Sequence, residues 1–303
     1  MVMKKDKKYS GIMGFIVGDA LGVPVEFNKR DTYKIEFMTG YGTYNQPPGT
    51  WSDDSSMTLA TMDAIGRCKG KINTTDIMMN FIDWFYNGCY TPYGRCFDVG
   101  NTTKRAIQKY ASGKYNIDTC GCNEVEDNGN GSLMRMLPLV FMEKVSDDDI
   151  DSVSAITHAH PISKYACEVY VCFAKWLYAH ASIEEAYEKT TSFMKMGLFN
   201  YRLGEEFMEF LNIPNLKRND IKSTGYVVDT LIAAVWCLMH TNNYKDCVLT
   251  AVNLGGDADT IAAVAGGLAG ILYGIKGIPE EWIDSLPKKD EITEIMDIFF
   301  KVI

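Results

Sequence analysis

The chain has 303 residues, of which 47% are hydrophobic and 23% charged, enough apolar material for a large core and too much for a disordered chain. A balance of 30 Lys and Arg against 39 Asp and Glu gives a net charge of -9, with no basic cluster beyond Lys4 to Lys8, so no nucleic-acid partner is expected. Its 9 cysteines follow no repeating spacing, which argues against a disulfide framework and for a reducing, cytoplasmic setting.

Residues 1–8 are expected to be a flexible basic tail and residues 9–303 a single domain. Gly11 to Gly18 is an apolar stretch behind lysines, like the start of a signal peptide, but Asp19 and Glu26 break that pattern. Gly18 and Gly22 permit close backbone packing, and Pro24 ends the helix just before Glu26. Tyr33 to Phe37 reads as a short extended piece. Met57, Leu59 and Ala60 begin a helical run, and Thr74 to Tyr86 is an amphipathic helix capped at Asn73. Further helices are predicted over Asn101 to Ala111, Leu133 to Met142, Asp148 to His158, Ile162 to His180, Ile183 to Phe193, Val227 to His240, Tyr244 to Val252, Asp257 to Tyr273 and Glu291 to Val302. Ile261 to Ile275 is shorter than the roughly 20 residues of a membrane span and is interrupted by glycines, so it reads as a buried core helix. The fold class is all-α, a compact single-domain orthogonal helical bundle. Three long irregular stretches, 28–51, 86–100 and 118–131, are where chemistry is expected.

Two acidic clusters open helices. Ser52, Asp53, Asp54, Ser55 and Ser56 precede one apolar run, and Asp257, Asp259 and Thr260 precede the most apolar one. Acidic residues in a first turn complement the helix dipole, which is the plain structural reading. A central helix would bury its acidic end, however, and buried carboxylates need a compensating charge. Together the clusters offer an all-oxygen donor set suited to Mg²⁺, Mn²⁺ or Ca²⁺, with enough carboxylates for two ions about 3.5 to 4 Å apart. Asn128, Gly129, Asn130, Gly131 and Ser132 form a glycine-rich turn into a helix, a ready cradle for phosphate or simply a turn. Arg135 just beyond it is suited to a phosphate or to a buried carboxylate. Cys120, Cys122, His158 and His160 do not match a structural zinc pattern, and helix-terminal histidine is the better reading.

These motifs, in the order Gly18-Asp19-Ala20-Leu21-Gly22 with Glu26, Ser52-Asp53-Asp54, Phe97-Asp98-Val99-Gly100-Asn101, Asn128-Gly129-Asn130-Gly131, Thr157-His158, Gly225-Tyr226-Val227 and Gly255-Gly256-Asp257-Ala258-Asp259-Thr260, resemble the ADP-ribosylglycohydrolase family from about Tyr9 to Leu286. The resemblance implies an all-helical protein with a binuclear Mg²⁺ or Mn²⁺ centre that removes ADP-ribose from modified side chains. By position it implies Ser52, Asp53, Asp54, Asp257, Asp259 and Thr260 as metal ligands, and Glu26, Asp54, Asp98 and Asp259 as the catalytic group. Glu26 would be a gate or acid/base residue. Asp98 would contact the substrate ribose, Asn128 to Ser132 would line the pyrophosphate, and His158 would lie near the ligand channel. Ser52 and Ser55 replace the threonines of the family's usual Thr-Asp-Asp-Thr and keep the hydroxyls. The expected partner is an ADP-ribosylated protein or small molecule, with no membrane and a monomeric chain. The alternatives are a non-catalytic ADP-ribose reader or structural member, and a phosphoesterase using the same metals.

Overall fold

Helical spacing of apolar residues, with few prolines to interrupt it, yields thirteen α-helices among the described residues. The computed structural model describes residues 2–201 and 205–303, with side chains over 7–196 and 205–303. In chain order the helices begin with α1 (Val2–Gly22), α2 (Asp53–Arg67), α3 (Thr74–Asn87) and α4 (Asn101–Ala111). The middle of the chain forms α5 (Leu137–Val140), α6 (Asp147–Ala155), α7 (Pro161–Tyr178) and α8 (Ile183–Tyr201). The rest forms α9 (Val227–Met239), α10 (Tyr244–Val252), α11 (Ala258–Tyr273), α12 (Glu280–Asp284) and α13 (Lys289–Val302). Buried apolar side chains from α1 to α13 join in one cluster.

The centre of that cluster is an antiparallel pair, α1 against α11, that meets at the backbone. A Cβ on Gly18 would fall 2.1 Å from the Ala262 carbonyl oxygen, and one on Gly22 would fall 2.2 Å from the Asp259 Cα. Only hydrogen at these positions lets the end of α1 lie on the start of α11. As expected from its composition, α11 is a buried core helix, buried from Ala258 to Ile271. No helix among the described residues is long and apolar enough to cross a membrane.

Capping follows the sequence. Ser52 accepts from Asp54 N at the start of α2, Asn73 accepts from Thr75 N and Asp76 N at α3, and Ser146 with Asp149 makes a capping box at α6. Three expectations need correction. Leu133 to Met142 is not one helix; a 3₁₀ turn over Leu133–Arg135 gives way to the single turn of α5, where Pro138 cannot donate a helical hydrogen bond. Tyr33 to Phe37 forms no strand, because the Ile35 N–H and C=O bond the side chain of Asn253 instead of a neighbouring strand. Helix α1 starts at Val2, so residues 2–8 of the expected basic tail are helical, residue 1 lying outside the described residues, and Lys7 Nζ donates to the Leu177 carbonyl at 2.8 Å.

Candidate active site

Helix starts bring the acidic motifs together. Asp53 and Asp54 occupy the first turn of α2, while Asp257 and Asp259 flank the first residue of α11. What joins the two is Asp19 on α1, a fully buried carboxylate. Its Oδ1 accepts from Ser52 N at 2.9 Å, and its Oδ2 accepts from Ser55 N at 3.0 Å and Ser55 Oγ at 2.6 Å. Asp54 Oδ2 then accepts from Ser52 Oγ at 3.0 Å and from Thr260 Oγ1 at 3.2 Å, so one carboxylate touches both motifs. Asp259 Oδ1 accepts from Thr260 N at 2.9 Å, and Asn130 Nδ2 donates to Asp257 Oδ2 at 2.8 Å.

The turn before Asp257 depends on Gly255 and Gly256, with φ of +73° and +69°. Arg30 holds this turn from beneath, donating to the carbonyls of Leu254 at 2.7 Å and Ile221 at 2.6 Å.

At this site four buried carboxylate oxygens have no hydrogen-bond partner among the described residues, namely Glu26 Oε2, Asp54 Oδ1, Asp257 Oδ1 and Asp259 Oδ2. Two groups lie within reach of a common ion, Asp19 with Asp54 and Asp259, and Glu26 with Asp257 and Asp259. Burial pushes the carboxyls of Asp53, Asp54 and Asp259 well above their ordinary range, with neighbouring acids adding to it. Glu26 is pushed up to about 10 by burial and then by the charge of Asp98. Asp19 is raised by burial to about 6, held back by its bonds from Ser55 and Ser52. Acids this close and this buried leave oxygens aimed at one another, an arrangement that a hard divalent cation satisfies and no other described side chain does. The donor set therefore fits a metal site.

A cavity of about 240 Å³ opens beside the acids, lined by Glu26, Asp53, Asp98, Asp257 and Thr260 on one wall and by Gly129, Asn130, Gly131 and His158 on another. The first residues of α4, Asn101 to Thr103, line it as well. Two of the three long irregular stretches contribute to the lining, 86–100 through Asp98 and Gly100 and 118–131 through Gly129 to Gly131, whereas 28–51 does not. A larger groove of about 680 Å³ between Asp31–Glu36 and α10 contains none of these site acids, so size does not mark the site. Tyr44 Oη donates to Asp98 Oδ1 at 2.5 Å, and Asp98 itself sits at a φ of +54°.

Not every expected residue reaches the cavity. Asn128 Oδ1 accepts from Ser163 Oγ at 2.9 Å, and Ser132 Oγ lies 3.4 Å from Cys167 Sγ, both in the packing behind the turn. Ser52 lies beneath, bonded to Asp54. Arg135 meets neither a phosphate-facing surface nor a carboxylate; it is fully buried and donates to backbone carbonyls and Thr157. Cys122 and His158 are bridged through their backbones, yet they belong to no metal-competent cluster among the described residues. Sequence reasoning assigned no role to Asp19 or Tyr44. The signal for Asp19 was present, since a lone carboxylate in the apolar stretch from Gly11 to Leu21 must find donors when buried. Tyr44 gave none, because its partner Asp98 is 54 residues away.

The ADP-ribosylglycohydrolase family model matches residues 3–303. The chain belongs to that family. Relatives that it matches are described as hydrolases of ADP-ribosylated substrates. It is 33% identical over 299 residues to the ADP-ribosylarginine hydrolase Tri1 of Serratia proteamaculans, covering 97% of this chain and 79% of that one. It is 30% identical over 295 residues to the ADP-ribosyl-[dinitrogen reductase] glycohydrolase of Rhodospirillum rubrum, covering 94% and 92%. A solved structure described as an ADP-ribosylglycohydrolase-related protein complex superposes with a TM-score of 0.80 at 26% identity, over 100% of this chain and 99% of that one. The all-helical fold expected of the family is the fold observed.

Proposed function

We propose that the protein hydrolyses the bond between the distal ribose of ADP-ribose and a modified side chain, with arginine as the favoured acceptor. The carrying observation is the set of buried, unpartnered oxygens from Glu26, Asp54, Asp257 and Asp259 beside a polar cavity. The arginine preference draws on similarity to the Serratia hydrolase, whose own substrate is ADP-ribosylarginine by its description.

Ser52, Asp53, Asp54, Asp257, Asp259 and Thr260 would hold two divalent cations, Mg²⁺ or Mn²⁺, because every donor is a hard oxygen. When bound, such a pair supplies Lewis acidity toward hydroxyls and water near neutral pH.

The remaining chemistry belongs to side chains. Hydrolysis at an anomeric carbon passes through an oxocarbenium-like state, and the carboxylates of Asp53, Asp98 and Asp257 lining the cavity complement that positive charge. Glu26, whose carboxyl is pushed up by burial and by Asp98 in the cation-free protein, is the side chain placed to give a proton to a departing group. A guanidinium leaves with little such help, whereas a serine oxygen needs the proton. Gly129 and Gly131, on either side of the Asn130 N–H that is bonded to Gly225, and the start of α4 bring backbone N–H groups to the cavity wall for ligand oxygens. Asp98 stands ready to accept from a ribose hydroxyl, oriented by Tyr44.

The test is incubation with arginine-linked and serine-linked ADP-ribosylated peptides, with Mg²⁺, Mn²⁺ or chelator, reading released ADP-ribose by mass. Release that chelator stops supports the reading and identifies the linkage. No release from either peptide, with ADP-ribose still bound in the presence of cation, favours a reader of ADP-ribose. Release of AMP or phosphate from ADP-ribose favours a phosphoesterase.

A further inference from the structure

Arg135 is a buried cation whose hydrogen-bond partners are all neutral. Nη1 donates to the Gly131 carbonyl at 2.8 Å, and Nη2 to the carbonyls of Val153 at 2.9 Å and Ser154 at 3.3 Å. Val153 and Ser154 lie in the last turn of α6, where the carbonyls carry the negative end of the helix dipole. The same Nη2 donates to Thr157 Oγ1 at 2.8 Å, and Thr157 Oγ1 lies 2.8 Å from His158 Nδ1.

This chain of contacts fixes a proton. A guanidinium has no acceptor, so the Thr157 oxygen must accept from Arg135. The Thr157 hydroxyl proton has no acceptor among the described residues other than His158 Nδ1. Nδ1 is therefore the acceptor, and the ring proton resides on Nε2. Nε2 has no hydrogen-bond partner among the described residues, although His158 is only 2% exposed. It faces the glycine turn of the cavity, since a Cβ on Gly131 would fall 3.2 Å from Nε2 and one on Gly129 would fall 3.7 Å away.

We propose that Arg135 and Thr157 are positioning residues that lock His158 in its neutral Nε2–H tautomer, so that the imidazole presents the cavity with one donor for a ligand oxygen and no acceptor. The identity of that ligand rests on the function proposed above; the tautomer does not. Burial, followed by the positive charges of Arg135 and Arg105, pulls the His158 pKa down to about 3, which keeps the ring neutral at physiological pH. A neutral ring with a single fixed donor favours a ligand oxygen over any ligand N–H.

Nitrogen-15 NMR of the histidine side chains in the ligand-free protein reads the tautomer directly, and the chain has only 4 histidines to assign. The expected result is an unprotonated Nδ1 and a protonated Nε2 at His158, unchanged between about pH 5.5 and pH 8. Thr157→Val keeps the shape and removes the hydroxyl; it should give mixed tautomers and weaken ADP-ribose binding by about tenfold. Thr157→Ser should restore both. A wild-type ring protonated at Nδ1 overturns the proposal, as does a T157V protein whose tautomer or affinity matches wild type. The wild-type spectrum decides the matter even if T157V fails to fold. A fixed Nε2–H tautomer in a protein that releases no ADP-ribose would count against the proposed function alone.

Discussion

The carboxylate of Asp19 on α1 holds the first turn of α2 through Ser55, whose hydroxyl donates to it at 2.6 Å and whose backbone N–H donates at 3.0 Å. This bond makes the N-terminus of α2, with Asp53 and Asp54, a fixed object relative to α11, because α1 lies against α11 through Gly18 and Gly22. Asp19→Asn replaces one acceptor oxygen by an NH₂ that faces other donors. It should lower stability by about 1–3 kcal/mol, the cost of a buried unsatisfied group. Cation affinity should fall by about 10–100-fold, as for other residues that orient ligands from behind. Thermal melts and calorimetric Mn²⁺ titration check both, and wild-type values for each would show that Asp19 holds nothing.

Asp54 and Asp259 each carry an unpartnered buried oxygen. Replacing either by Ala removes the oxygen left for a cation, so cation binding and turnover should collapse, by more than the ~10–100-fold typical of an outer-shell residue. The cation-free variants should melt at or above the wild-type temperature, because one member of a crowded acidic group is gone. A variant that turns over at the wild-type rate would remove the metal scheme.

Asn130 Nδ2 bridges Asp257 Oδ2 at 2.8 Å and Thr230 Oγ1 at 2.9 Å, which ties the glycine turn to the acidic cluster and to α9. Asn130→Ala should leave Asp257 free to rotate. Cation affinity is then expected to drop by about 10–100-fold while substrate KM rises, since the residue borders both walls. Isothermal titration with Mn²⁺ and steady-state kinetics separate the two effects; loss of kcat alone, with cation affinity intact, would contradict the bridge.

The helices and acidic motifs were legible because both signals are local. Apolar spacing marks α3, α4, α7, α9, α10 and α11, and the cap at Ser52 is a matter of two residues. The partners were not legible in the same way. Thr260 and Asp54 lie 206 residues apart and Asn130 and Asp257 lie 127 apart; donor chemistry and the motif resemblance grouped the two acidic clusters, but neither gives these contacts. The break at Leu133–Met142 shows the limit of periodicity, since its apolar pattern suits a helix that Pro138 does not allow. Asn128 and Ser132 show another limit. Membership in a glycine turn does not say which side chains face the ligand, and these two serve the packing behind it.

Protonation and cation binding should compete for the acidic cluster. A carboxyl whose pKa is higher in the folded than in the unfolded chain binds its proton more tightly when folded, so its contribution to stability is complete below about pH 4 and is lost as pH rises through the folded value. Burial raises Asp19 to about 6 and, with the charge of Asp98, Glu26 to about 10, and it raises Asp53, Asp54 and Asp259 as well. The cation-free protein should therefore lose stability from about pH 4 upward, through about pH 6 for Asp19 and as far as about pH 10 for Glu26. A divalent cation takes the place of those protons, so its stabilising effect should grow over the same interval. In a domain of this size each kcal/mol moves Tm by about 2–4 °C, which makes the trend measurable. Melting curves in chelator and in excess Mn²⁺ at several pH values check it. The two Tm curves should diverge as pH rises; parallel curves would mean that the cation does not bind at the buried acids.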